Sequence, residues 1–334
     1  MECKGKVFEE IKDKIRLLVE NQDKCGFSAY IISKSEAKLY EMILDDERHD
    51  ENESFKRCVF NSLIETISDK YLSEGIEYAP SSQIADNQKK LYVVEQNEEY
   101  TPFDILNKLN SNITDFKASD IDDAKGFVYL FRVGETKIWA YQHLWSILVP
   151  NKKNNNILAR MKKYEDYEYF TEQKEPLLTI SKKIDLLIVE NSIITSNVGL
   201  LQRSFGFVDF VISSANKTIG RVEEKGLLVN ADKLVEYIQR GTSGKYAKKM
   251  MRIIDSPLFD VPNEILREKI HNLERWKGKF DEDENGSIVL NTFAQVEHFI
   301  DFMDERYTRS DVTDQEYDTN VKQIAKPVNG EDAH

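Results

Sequence analysis

Two apolar, β-favouring runs joined by a short turn constrain the fold of this chain most. Residues 127–133 and 137–143 are rich in aromatic and β-branched residues, and a turn at 134–136 separates them. Runs of this length with a tight turn between them are typical of a β-hairpin. Residues 184–189 and 192–195 repeat the pattern. The sequence therefore predicts at least two antiparallel strand pairs in the middle of the chain.

Amphipathic helices are predicted on both sides of these strands. Residues 2–20 and 55–73 carry apolar residues at helical spacing, and a last long helix begins after Thr292 and runs to Arg306. Hairpins and helices are mixed without a regular β-α alternation. The predicted fold class is therefore α+β, with a mixed sheet, hairpins and several amphipathic helices in two domains.

The length of 334 residues corresponds to about two domains at roughly 150 residues each. A helix is predicted from residue 101, and the polar stretch at 111–123, with its four aspartates, is the predicted linker. The predicted division is an acidic N-terminal α+β domain over residues 1–120, an α+β domain with basic segments over 121–310, and a polar C-terminal tail over 311–334.

The formal net charge of −13 hides an uneven distribution of charge along the chain. Residues 1–123 have a net charge of −11 and residues 261–334 one of −8, whereas residues 124–260 have one of +6. The sum argues against nucleic-acid binding, but binding depends on where the charges lie. The basic middle third is therefore the predicted place of contact with a polyanion.

Two basic segments without acidic residues carry this signal. The first basic segment is residues 151–163 and also holds a run of three asparagines at 154–156, whose amides can bond phosphates or base edges. The second basic segment is residues 240–252. The predicted DNA-binding residues are the cations of both segments: Lys152, Lys153, Arg160, Lys162, Lys163, Arg240, Lys245, Lys248, Lys249 and Arg252.

The second basic segment predicts a helix that carries its cations on one face. Lys245, Lys248, Lys249 and Arg252 are spaced i, i+3, i+4 and i+7. Like charges at this spacing repel one another, and a bound polyanion would relieve the repulsion and release counterions. The alternative is a solvated face that the acidic flanks of the protein balance.

Four aromatic residues follow the first basic segment directly: Tyr164, Tyr167, Tyr169 and Phe170. Aromatic rings beside cations suit stacking on nucleic-acid bases. They suit packing in a hydrophobic core equally well, and core packing is the preferred interpretation for these four residues.

A Mg²⁺-dependent nuclease is the enzymatic alternative. Asp209, followed by Glu223 and Lys225, imitates a metal nuclease, in which carboxylates hold the metal and the lysine stabilises developing charge. A second match of the same kind consists of Asp123, Glu135 and Lys137. Such matches arise by chance in a chain with 59 acidic residues, so no catalytic residue, metal ligand or cofactor is predicted.

Two other motif matches fail at defined positions. Residues 241–245 resemble a phosphate-binding loop, but Tyr246 stands where the motif requires Ser or Thr. Residues 281–292 resemble a calcium loop, but Thr292 takes the place of the bidentate Glu. A helix-breaking glycine turn in the first case and a tight Asn-Gly turn in the second are the better interpretations.

The chain has neither an apolar stretch long enough for a membrane helix nor an apolar signal core near residue 1, which predicts a cytoplasmic protein. Its cysteines, Cys3, Cys25 and Cys58, are a poor disulfide framework because they are odd in number and widely spaced. Cys25 and Cys58 are therefore expected to be buried free thiols.

Three stretches in the second half of the chain carry a family resemblance. They are residues 191–209 (NSIITSNVGLLQRSFGFVD), 244–257 (GKYAKKMMRIIDSP) and 305–319 (ERYTRSDVTDQEYDT). On these stretches the chain resembles the KwaB-like family, the soluble component of the Kiwa anti-phage defence system. The resemblance covers roughly residues 120–320, and the motifs contain no catalytic signature.

The resemblance implies a protein that engages phage DNA and acts with an integral membrane partner of KwaA type, which would recruit it to the inner membrane. The charge pattern and the resemblance overlap at residues 244–252. The predicted function is therefore largely sequence-independent DNA binding, as the soluble effector of a two-component system. The alternatives are the nuclease and an adaptor without a nucleic-acid role. A homodimer is expected because two-fold assemblies are the commonest.

Overall fold

The computed structural model describes residues 2–35, 38–47, 54–84, 90–108, 113–144, 147–148, 159–164, 167–172, 177–241, 244–309 and 316–318. The chain divides into two compact units: unit 1 holds residues 1–81 and 86–205, and unit 2 holds residues 82–85 and 206–334. Unit 1 contains a large mixed sheet, whereas unit 2 is mainly helical. The predicted α+β class is confirmed.

The strands, numbered along the whole chain, are β1 (Gly26–Ser33), β2 (Leu39–Met42), β3 (Tyr78–Pro80), β4 (Leu91–Glu95), β5 (Ile113–Asp115), β6 (Ala124–Val133), β7 (Thr136–His143), β8 (Ile147–Leu148), β9 (Ala159–Tyr164), β10 (Tyr167–Glu172), β11 (Leu177–Leu178), β12 (Leu186–Val189), β13 (Ser192–Thr195), β14 (Asp281–Glu282), β15 (Ile288–Val289), β16 (Tyr307–Arg309) and β17 (Glu316–Asp318). Nine of them form the sheet of unit 1, in the order β3-β4-β13-β12-β7-β6-β1-β2-β5. Its neighbours are antiparallel except for the outer pairs β3/β4 and β2/β5.

Both hairpins predicted from the sequence are confirmed. β6 pairs with β7, and β12 with β13, in antiparallel register. Gly134 takes a positive φ of 58° in the first turn, a conformation that glycine adopts without steric cost. The centre of β6 is apolar because its residues are buried on both faces of the strand: Phe127, Val128, Tyr129, Leu130 and Phe131.

The helices of unit 1 are α1 (Glu2–Glu20), α2 (Phe55–Tyr71) and α3 (Val198–Ser204). Their positions agree with the helical spacing in the sequence. One core cluster contains Ile15 of α1 and Ile67 of α2 together with Phe127 and Phe131 of β6. The apolar stripes of α1 and α2 therefore cover one face of the sheet.

The observed division of the chain differs from the boundary predicted near residue 120. β1 pairs with β6 along its length, which puts residues 26–33 and 124–133 in one sheet. The stretch predicted as a linker contains the edge strand β5 and a 3₁₀ helix, Ala118–Asp123. The helix predicted from residue 101 is a short 3₁₀ helix, Asp104–Lys108. Pairing between distant strands leaves no local sign in composition, which explains the difference.

Unit 2 contains the helices α4 (Phe207–Lys225), α5 (Asp232–Ile238), α6 (Lys245–Met251), α7 (Asn263–Asn272) and α8 (Phe293–Met303). Two short strand pairs, β14/β15 and β16/β17, accompany them. β17 lies inside the predicted C-terminal tail, so this part of the tail is paired. The helices turn apolar residues inward, among them Val211, Ile219, Leu234, Met250, Leu266, Phe299 and Ile300.

The start of α8 follows the prediction. The Thr292 hydroxyl accepts a hydrogen bond from the Gln295 amide at 3.2 Å, and the Gln295 side chain accepts one from the Thr292 amide at 3.0 Å. This reciprocal pair is a capping box, which satisfies two backbone donors that the helix leaves open. The helix ends at Met303, one turn earlier than expected.

Two smaller expectations have different outcomes. Cys25 and Cys58 are both free, but Cys58 is exposed, so its expected burial is wrong. Burial raises the pKa of the Cys25 thiol.

In the part of the chain that the structure describes, no helix combines the length and the apolarity needed to cross a bilayer.

Candidate nucleic-acid interface

The first basic segment enters a two-stranded ribbon in unit 1. Among the described strands, β9 and β10 pair only with each other, in antiparallel register from Tyr164–Tyr167 to Ala159–Glu172. Side chains along a strand alternate between faces, so Arg160 and Lys162 lie on one face and Met161 and Lys163 on the other. Phe170 is directly opposite Met161 in the register and shares its face.

The cations of this ribbon are exposed to solvent. Arg160, Lys162 and Lys163 are all in the exposed class. None of the three takes part in an ion pair with another described residue. Lys152 and Lys153, the other predicted cations of this segment, lie outside the described residues. The described half of the segment thus presents three positive charges on a ribbon whose two faces both carry exposed residues.

Two large apolar side chains are also exposed on this ribbon. Phe170 is 73% exposed and Met161 is 56% exposed. The preferred expectation of core packing is therefore wrong for Phe170. A weak indication of this exposure was present in the sequence. Phe170 lies between Tyr169 and Thr171 in a strand whose partner strand is rich in lysine.

The second basic segment lies in unit 2, between α5 and the 3₁₀ helix Arg252–Asp255. Gly241 and Gly244 have positive φ angles of 75° and 66°, and α6 begins directly after Gly244. This agrees with the helix-breaking turn predicted for the glycines. Ala247, Met250 and Met251 form the buried side of α6.

The four cations predicted on one face of α6 have different surroundings. Lys245 is exposed, while Lys248, Lys249 and Arg252 are half-buried. The Lys249 ammonium donates a hydrogen bond to Glu297 Oε1 at 2.9 Å. The segment therefore does not present four equivalent free charges, because at least one of them is paired inside the protein.

Glu297 of α8 is the centre of this pairing. It also accepts a hydrogen bond from the buried Tyr237 hydroxyl, at 2.8 Å. The bond from Lys249 lowers the pKa of the Glu297 carboxyl, and the bond from Tyr237 adds to the effect. Burial, together with the carboxylate, raises the pKa of the Tyr237 phenol. The pairing thus connects α5, α6 and α8 through one carboxylate.

Arg240, at the start of the second basic segment, contacts two aromatic rings. Its guanidinium carbon lies 4.3 Å from the centroid of Phe293 and 4.8 Å from that of Tyr246. Both distances are typical of cation–π interactions. Lys233 contacts the same Phe293 ring at 4.9 Å. The positive charge of Arg240 thus interacts with the protein's own aromatic rings, which makes it less available to a bound anion.

Arg252 lies near a half-buried acid. Burial raises the pKa of the Asp301 carboxyl, and the charges of Lys249 and Arg252 oppose this rise. The attraction between unlike charges in a partly buried site links these two cations to Asp301. The positive charges of Arg252 and Lys249 therefore both act on a carboxyl group of α8.

The residues proposed for a nuclease are spread along one helix. Asp209 and Glu223 both lie on α4, and 14 residues at 1.5 Å each place them about 21 Å apart. The Lys225 ammonium donates a hydrogen bond to the Phe259 carbonyl at 2.9 Å and another to the Val261 carbonyl. The two carboxylates therefore cannot hold one metal ion in this structure.

The two carboxylates of the second nuclease match are also far apart. Asp123 precedes β6, and Glu135 lies in the turn after it, so roughly 30 Å or more separates them along the strand. The Asp123 carboxylate accepts a hydrogen bond from the Tyr40 hydroxyl at 2.9 Å. Among the described residues, no group of three or more His, Cys, Asp or Glu could hold a metal ion.

The acidic loop at 281–292 forms the predicted tight turn. Asp283 accepts hydrogen bonds from the amides of Asn285, at 3.0 Å, and Ser287, at 2.7 Å. Gly286 has a positive φ of 71° between β14 and β15. The carboxylate that a calcium loop would need for its ion is therefore engaged with the backbone of the turn.

Comparison with known proteins points to one family. The model of the family described as Kiwa protein KwaB-like matches residues 121–313. No curated protein and no solved structure matches the chain significantly. The match includes the described cations of the ribbon and of the second basic segment.

Proposed function

The chain belongs to the KwaB-like family of the Kiwa anti-phage system, and from this premise we propose that it binds DNA through the β9–β10 ribbon. In this proposal Arg160, Lys162 and Lys163 contact backbone phosphates. Binding is then largely independent of base sequence, because phosphate contacts carry no sequence information directly. The protein serves as the soluble effector and acts with an integral membrane partner of KwaA type.

One observation carries the proposal: three adjacent exposed cations on a ribbon, none of them in an ion pair with another described residue. Cations without a protein partner can neutralise phosphates and release the counterions that condense on DNA. A two-stranded ribbon is also one of the elements that the major groove of DNA admits. Lys245 of unit 2 is also exposed and is a separate candidate for a phosphate contact of its own.

The acidic parts of the chain limit this interaction. With a net charge of −13, the protein as a whole repels a polyanion. We therefore expect weak binding at physiological salt unless the acidic regions face away from the DNA or are covered by the membrane partner. Homodimerisation would strengthen binding by joining two ribbons to one DNA molecule.

The test is a titration of the full chain against fluorescently labelled duplex DNA. It is repeated at salt concentrations between about 50 and 200 mM, a range in which counterion release changes the affinity strongly. A variant with Arg160→Gln, Lys162→Gln and Lys163→Gln loses three phosphate contacts at about 1 kcal/mol each. Its dissociation constant should rise roughly 100-fold. The slope of log affinity against log salt should fall by about 2 to 3 in magnitude.

A control variant carries the same change in charge elsewhere in unit 1. Arg132, Lys137 and Lys182 are exposed, and their replacement by Gln should alter affinity and slope far less. Equal losses of affinity in the two variants would mean that the effect depends only on net charge, and this result would contradict the proposed site. A flat titration of the unaltered chain at about 50 mM salt would instead favour an adaptor without a nucleic-acid role.

A further inference from the structure

The exposed apolar pair on the ribbon is not explained by phosphate binding. Phe170 and Met161 are opposite each other across β10 and β9, and both are more than half exposed. Leaving side chains of this size in water forgoes the free energy that their burial would gain. A ligand that covers them would recover part of this free energy.

The charges around the pair indicate what kind of ligand fits. Lys163 lies on the same face as Met161, two residues along the strand and opposite Glu168 in the register, while Arg160 and Lys162 flank Met161 on the opposite face. An apolar partner protein would have to leave these three cations uncovered or supply acids for them. A ligand with flat apolar rings along a chain of negative charges satisfies the cations and the pair together.

Nucleic-acid bases have this character, but only where they are unpaired. In a duplex the base faces are stacked on one another, and a protein meets only base edges in the grooves. In a single strand the faces are open and stack on aromatic side chains. Met161 adds a polarisable thioether that makes favourable contacts with aromatic rings.

We infer that Phe170 and Met161 form a stacking platform for the bases of single-stranded DNA, with Lys163, which shares their face, on its phosphates. The inference rests on the proposed function and names its substrate class. Because every base has a stacking face, the platform accepts any base, so binding remains independent of sequence. The duplex is then the weaker ligand, held by its phosphates alone.

The experiment compares one labelled oligonucleotide as a single strand and as a duplex, with the full chain at fixed salt. The unaltered protein should bind the single strand more tightly. Phe170→Ala should weaken single-strand binding by about 5- to 150-fold, the range measured for loss of one base stack. Duplex affinity should change less than twofold, and the salt slope should not change, since no charge is removed. Phe170→Trp should retain the single-strand affinity.

Phe55→Ala is the matched control, because Phe55 is also an exposed phenylalanine of unit 1, at the start of α2. It should leave both affinities unchanged. If Phe170→Ala weakens single strand and duplex equally, or neither, the stacking platform is refuted, while DNA binding through the cations stands. If the unaltered chain binds neither ligand, the proposed function fails and the platform with it.

Discussion

The two basic segments look alike in sequence and differ in structure: the first enters the β9–β10 ribbon, and the second contains α6. Both hold five cations and no acid over thirteen residues. On the ribbon, Lys162 and Lys163 are exposed, and neither is in an ion pair with another described residue. In the second segment, Lys249 is bonded to Glu297 and Arg240 lies over two aromatic rings.

This difference shows that a run of cations indicates electrostatic contacts but does not indicate whether they are made with DNA or with acidic residues of the protein itself. The acids that neutralise the second segment come from α8, about 50 residues further along the chain. A cation that already has a protein partner must give it up before it can bind phosphate, at a cost in stability. The variant Lys248→Glu with Lys249→Glu would therefore mix folding with binding, whereas ribbon variants separate the two.

The largest expected effect on stability is that of Lys249→Glu. It removes a charge-assisted hydrogen bond and brings a second carboxylate to Glu297, which should cost about 2 kcal/mol. The melting temperature should fall by roughly 5 °C in a calorimetric scan. Lys162→Glu on the ribbon should change stability by less than about 0.5 kcal/mol.

The charge swap Lys249→Glu with Glu297→Lys provides the control. It rebuilds an ion pair with the charges exchanged, so it should recover a substantial part of the lost stability. Equal melting temperatures for Lys249→Glu and the unaltered chain would mean that the pair contributes nothing and that the two segments do not differ in this respect.

Arg240→Ala should have the next largest effect. It removes the interactions with Phe293 and Tyr246, which together are worth about 1 kcal/mol at a partly exposed site. Urea denaturation should detect this loss as a lower midpoint with an unchanged slope. Lys245→Ala, which removes an exposed cation from the same segment, serves as the comparison and should leave the midpoint in place.

Lys245→Gln and Lys249→Gln should differ in DNA binding. If the exposed Lys245 contacts one phosphate, its loss should weaken duplex binding about fivefold and reduce the salt slope by about 0.9. Lys249→Gln should leave the slope unchanged, because that ammonium is paired with Glu297. A slope that falls for Lys249→Gln as well would show that the internal pair opens on binding.

The smallest expected effect concerns acid stability. The pKa of Glu297 is lower in the folded state than its ordinary value of 4.5. The stability that it contributes is therefore present above pH 4.5 and is lost as the pH falls through the folded pKa. Glu297→Gln should make unfolding less dependent on pH in this range, although the half-exposed carboxylate limits the size of the effect. An unchanged pH profile for Glu297→Gln would contradict this role.

The local pattern predicted many elements of the fold. Helical spacing of apolar residues correctly placed α1 at Glu2–Glu20, and Thr292 correctly marked the start of α8. The tight turn at Gly134 identified the β6/β7 hairpin. These features depend on residues within a few positions of one another, which a sequence displays directly.

Other features were beyond local reasoning. The apolar run at residues 208–213 fits a strand or a helix by its sequence, and it belongs to the 19-residue helix α4. The Lys225 ammonium in that helix, which the nuclease alternative placed in its active site, bonds to carbonyls more than 30 residues away. The nine-stranded sheet spans the expected boundary at residue 120 because β1 pairs with β6.

The sequence by itself determined the class of the fold, the family and the existence of two basic segments in an acidic chain. The hydrophobic period, the turn residues and the charge are properties of neighbouring residues, so they can be recognised in the sequence alone. Only the tertiary structure decided how the cations divide between exposed positions and internal pairs. It also exposed Phe170, which the sequence favoured for the core. Burial and pairing depend on which distant residues fold against a segment, and composition does not record that.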